Sequence, residues 1–91
     1  MKTSAKLLIH GRVQGVGFRW YIYQKAQNLG VTGYVRNLSD GRVEVAAEGE
    51  QAQIDKLIEA AKKGPAFSQV TNVDVQPQPF GKNYSKFEIT H

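Results

Sequence analysis

No cysteine occurs among the 91 residues, which removes disulfides, thiolate nucleophiles and cysteine-ligated zinc together. Histidine is nearly as scarce. His10 and His91 are the whole supply, with no cluster of His, Asp or Glu around either, so no metal site is expected. Long apolar runs are missing too. Met1-Lys2-Thr3-Ser4-Ala5-Lys6 leads only into Leu7-Leu8-Ile9, too short for a signal-peptide core or a membrane span, so a cytoplasmic location is expected. Lys62-Lys63 is the one adjacent pair of basic residues, so no charged arm or tail stands out. No repeat or low-complexity stretch is present, and Gln76-Pro77-Gln78-Pro79 is too short to be a linker.

What is present fits one domain over residues 1–91. The 41% hydrophobic and 10% aromatic content supports a packed core without covalent staples. A net charge of +4 inclines toward anionic partners: phosphates, acidic metabolites or nucleic acid.

Gly11-Arg12-Val13-Gln14-Gly15-Val16-Gly17-Phe18-Arg19 is the stretch around which the rest is organised. It lies between an apolar run and an amphipathic one. Such a glycine turn ahead of a helix aims free N–H groups at one point, where the positive end of the helix dipole also lies. Anions bind in such places. Arg19 falls in the first turn, the end at which a cation is disfavoured, and an anion between Arg19 and the loop would remove the conflict. The loop is neither of the nucleotide-binding types. Gly17-Phe18-Arg19 lacks the Gly-Lys-Ser/Thr ending of a Walker A loop, and Trp20 stands where a dinucleotide fingerprint wants glycine or alanine. From spacing alone, a plain tight turn and an anion cradle both remain open.

The flanking patterns predict a strand over about 6–13, then a helix over 18–29 with Phe18, Ile22, Ala26 and Leu29 inward and Gly30 as its stop. A strand over 31–38, the turn Ser39-Asp40-Gly41 and a strand over 42–48 form a hairpin. Residues 51–63 make a second helix with Ile54, Leu57, Ile58 and Ala61 inward, ended by Gly64-Pro65. Strands over 70–75 and 85–90 follow, separated by a loop at 77–81. The order βαββαβ plus a short C-terminal strand predicts an α+β, ferredoxin-like split βαβ sandwich, with two helices on one face of an antiparallel sheet.

Asn37 closes the second strand. Its amide either serves the turn locally or, if that strand end lies beside the glycine loop, orients a water next to Arg19. His10 reads as a structural or surface residue without a carboxylate nearby in sequence. Glu44 and Glu48 are expected on a solvated strand face, and Ser39 and Thr71 have no base partner. Acid–base and nucleophilic machinery of the usual kinds is missing.

Two blocks carry a family likeness. Residues 9–19, Ile-His-Gly-Arg-Val-Gln-Gly-Val-Gly-Phe-Arg, resemble the first signature of the acylphosphatases. Residues 33–43, Gly-Tyr-Val-Arg-Asn-Leu-Ser-Asp-Gly-Arg-Val, running on to Gly49, resemble the second. The resemblance covers essentially the whole chain and implies hydrolysis of the carboxyl–phosphate bond of a small-molecule acylphosphate, without metal or cofactor. It assigns Arg19 and the backbone N–H groups of Gly15, Val16, Gly17, Phe18 and Arg19 to the phosphate. It assigns Asn37 to the attacking water. Many relatives end in a basic or aromatic residue that packs near the site, whereas this chain ends Ile89-Thr90-His91. A stand-alone monomer acting on neither nucleic acid nor membrane is expected. The rival is a non-catalytic ferredoxin-like module that binds an anion, or RNA through Trp20, Tyr21 and Tyr23. No strand carries an RNP1 pattern, and both Arg19 and Asn37 are in place.

Overall fold

The computed structural model describes all 91 residues. The chain runs β1 (Lys2–Arg12), α1 (Phe18–Leu29), β2 (Thr32–Asn37), β3 (Val43–Glu50), α2 (Gln51–Lys63), β4 (Gln69–Gln78) and β5 (Phe87–Thr90). Both helices keep their expected bounds. In α1 the inward stripe of Phe18, Ile22 and Ala26 is buried. Its end is a Schellman cap: Val31 N–H bonds Ala26 carbonyl at 3.0 Å and Gly30 N–H bonds Gln27 carbonyl at 3.2 Å. Ile54, Leu57 and Ala61 are the buried face of α2, and Lys62 and Lys63 sit favourably at its negative end.

The sheet order is β4-β1-β3-β2-β5. Alternation decides which face is which. Leu7 opposes Val45, Ile9 opposes Val43, and Val35 opposes Val45; all are buried on the face that the helices cover. Burial of each such side chain contributes roughly 1.5–3 kcal/mol.

Three expectations need correction. The sheet is mixed, because β5 pairs parallel with β2, Val35 opposite Ile89. A short alternating run signals a strand but not its direction. The expected loop at 77–81 begins later, since β4 continues through Pro77, which opposes Ala5. As an edge strand, β4 can leave the missing proline N–H facing outward. Finally, Glu44 and Glu48 are buried, with 6% and 4% exposure. The chain must cross from the β4 edge to the β5 edge, and residues 79–86 make that crossing over the face away from the helices.

Glu48 holds the crossing in place. Its carboxylate accepts the N–H groups of Gly81 (3.2 Å), Lys82 (2.9 Å) and Asn83 (3.1 Å). Glu44 accepts Tyr34 Oη at 2.9 Å and Arg36 Nε at 2.7 Å. Burial, with that bond to Glu44, pushes the Tyr34 phenol up to about 12. Burial alone would raise Glu48, but the N–H groups of Lys82, Gly81 and Asn83 outweigh it and hold the carboxyl below its ordinary value. A depressed folded value means that the stabilisation is complete above the unfolded pKa and is lost as pH falls through the folded one. Glu48→Gln is expected to cost about 1–2 kcal/mol at neutral pH. Its melting temperature should then converge on the wild-type value as the pH falls below the ordinary carboxylate range. A gap that stayed constant in acid would contradict this role.

Candidate active site

The site is built where β1 hands over to α1. The β1–β4 register shifts between His10 and Gly11, an irregularity of the kind that bends a strand end. Only glycine fits at position 11: φ is 121°, and a Cβ there would collide with the Gln69 carbonyl oxygen. Val13 is then buried and anchors the loop, while Gly15 and Gly17 take left-handed φ values of 73° and 77°. Gly17 caps α1 without a side chain, and no acidic residue stands in the first turn. The positive end of the helix is therefore left open. None of the N–H groups of Gly15, Val16, Gly17, Phe18 and Arg19 donates to an acceptor in the protein.

Asn37 comes from the other side. Opposite Val43 and in phase with Val35, it projects on the helix side of the sheet. Gln14 ties its hairpin to the loop: one Nε2 donates to the carbonyls of Leu38 (2.7 Å) and Arg42 (2.9 Å). That clamp sets the distance between Asn37 and the loop. Sequence reasoning passed over Gln14, and no side-chain spacing could have found it, because both partners are backbone carbonyls.

The result is a cavity of about 210 Å³ lined by Val13, Gly15, Gly17, Phe18, Arg19, Trp20, Asn37 and Ile89. Gly15, Gly17, Phe18, Arg19 and Asn37 thus line one cavity. Val16 packs its side chain on the core and is not among the residues that line the cavity. Arg19 has no carboxylate within salt-bridge distance; its Nη1 lies 3.5 Å from His91 Nδ1. Asn37 Oδ1 is buried without a donor. No Asp, Glu, His or Lys lines the cavity. His10 lies apart, joined to Asp74 at 3.0 Å on the neighbouring strand, a carboxylate that sequence distance hid.

A guanidinium without a carboxylate partner, a run of free N–H groups and an unsatisfied amide can hold a tetrahedral anion and orient a neutral molecule beside it. The family profile for acylphosphatase matches residues 5–89. An acylphosphatase of Acaryochloris marina is 54% identical over 84 residues, covering 92% of this chain and 89% of that protein. One from Caldanaerobacter subterraneus subsp. tengcongensis is 46% identical over 89 residues, covering 98% and 99%. The crystal structure of acylphosphatase from Bacillus subtilis superposes with a TM-score of 0.95 at 36% identity, covering all of both chains. Sequence along nearly its whole length, and fold with it, therefore agree: the chain belongs to the acylphosphatase family of hydrolases.

Proposed function

We propose that the phosphoryl end of an acylphosphate occupies this cavity, and that water displaces the carboxylate there. The N–H groups of Gly15 to Arg19 and the guanidinium of Arg19 hold the phosphate oxygens, two of them matched by the planar fork. The side-chain amide of Asn37, which lines the cavity, hydrogen-bonds the attacking water and aims its oxygen at phosphorus. The new bond forms between water oxygen and phosphorus, and the bond from phosphorus to the carboxyl oxygen breaks. The carboxylate leaves with the electron pair. It is a good leaving group, so positioning and charge stabilisation suffice without a strong base. A phosphate oxygen of the substrate takes the water's proton, in keeping with a cavity lined by no titrating acid or base.

The carrying observation is the pairing, in one cavity, of an arginine without a carboxylate and an amide oxygen without a donor. A small-molecule substrate acted on by a monomer, without metal or cofactor, completes the reading. Tyr21 and Tyr23 are not a free stacking surface for RNA: both are half-buried, and Tyr21 Oη donates to the Ala60 carbonyl at 2.8 Å. No helix is long and apolar enough to cross a membrane. A cytoplasmic site of action fits these features.

Hydrolysis in water carrying heavy oxygen tests the direction of attack. The label should appear in inorganic phosphate. Label in the carboxylate would mean attack on the acyl carbon, and the roles given to Arg19 and Asn37 would be wrong.

A further inference from the structure

Trp20 has no part in the chemistry above, yet it forms a wall of the same cavity. It is the only tryptophan in the chain, and it is 56% exposed. A single exposed aromatic on a helix is ordinary, and exposure alone assigns nothing. Its surroundings are more specific. The indole stacks on Tyr23, with ring centroids 5.4 Å apart and planes 17° from parallel. Tyr23 in turn rests against buried Phe87 at 6.4 Å, and its Oη accepts Gln27 Nε2 at 3.2 Å. The ring is thus braced from the core outward, and its exposed part is presented in a fixed attitude. Bracing of this kind lowers the entropy lost when a ligand settles on it.

Position adds the second argument. Trp20 is the next residue after Arg19, so it lies within reach of whatever is bonded to a phosphate held there. Val13 and Phe18 are almost fully buried, which leaves Trp20 and the partly exposed Ile89 as the apolar surface the cavity offers. On its other side Trp20 borders a second hollow of about 330 Å³, which runs over Tyr23, Gln24, Lys25, Gln27 and Asn28. Neither hollow contains a carboxylate. A cationic acyl group therefore finds no partner, whereas a flat uncharged one finds a stacking face.

We propose that the braced indole of Trp20 is the platform for the acyl group, and that in this chain it is the residue that sets how strongly a planar aromatic acylphosphate is favoured over a small aliphatic one. This rests on the placement of the phosphoryl group at Arg19. Every acylphosphate presents the same reacting end there, so discrimination has to come from surface just beyond it.

The test compares kcat/KM for benzoyl phosphate and acetyl phosphate in wild type, Trp20→Ala and Trp20→Phe. Loss of the indole should lower the benzoyl-to-acetyl ratio about fivefold, chiefly through KM, and Trp20→Phe should keep most of it. An unchanged ratio in Trp20→Ala would overturn the proposal, whether both rates fell together or neither fell. Inhibition by inorganic phosphate, measured alongside, separates the two levels. Its persistence with an unchanged ratio would sink the platform alone. Its absence in the wild type would remove the placement at Arg19 and the platform with it.

Discussion

Arg19→Ala is expected to lower kcat/KM for an acylphosphate by about 1,000- to 10,000-fold, and to make the protein slightly more stable. The first effect follows from where charge develops. As the bond to the carboxylate breaks, negative charge spreads over the phosphoryl oxygens, and removal of a preorganised cationic donor from such a place costs several powers of ten. The second follows from the helix. Arg19 stands at the positive end of α1, with no acidic residue in the first turn and no carboxylate partner. Removing it relieves a repulsion of about 0.3–1 kcal/mol. Thermal melts of the two proteins check this directly. A less stable Arg19→Ala would show that the side chain holds the fold together, and the loss of activity would then say little about phosphate. Lysine should not restore the rate fully, because an ammonium cannot reproduce the planar fork.

Asn37→Ala should fail differently. Turnover is expected to fall by about 100- to 1,000-fold, while inhibition by inorganic phosphate stays close to that of the wild type. The distinction comes from geometry. The loop N–H groups and Arg19 arise from the β1–α1 junction, whereas Asn37 reaches the cavity from the end of β2. Its removal leaves the anion cradle whole and takes away the amide that orients the water. Stability should hardly suffer, since Asn37 Oδ1 is buried without a donor and gives the folded state nothing to lose. If phosphate inhibition weakened in step with turnover, Asn37 would belong to the cradle rather than to the water.

Much of this was legible in the residues themselves. Gly30 and Gly64-Pro65 end their helices where the apolar period stops, and alternation in Val43–Glu50 shows a strand and its faces. The Ser39-Asp40-Gly41 turn followed for the same local reason. What stayed hidden depends on long-range placement. The direction of β5 is decided by which end of β2 it meets, and Phe87–Thr90 alternates equally well either way. The burial of Glu48 depends on a crossing segment that begins some thirty residues later, shown by its bond to Gly81 across 33 positions. Gln14 was missed because it clamps backbone carbonyls 24 and 28 residues away. In the glycine loop, spacing left a simple turn and an anion cradle equally open. The free N–H groups and the meeting of Arg19 with Asn37 in one cavity favour the cradle.

The most direct test is turnover of acetyl phosphate in the presence of a metal chelator by wild type, Arg19→Ala and Asn37→Ala. The acetyl group is small enough that contacts beyond the reacting end count for little. Rapid hydrolysis by the wild type, lost in both folded variants, is the expected result. Full activity in Arg19→Ala, or a wild type silenced by the chelator, would contradict a site made of one arginine, one asparagine and a loop of backbone amides.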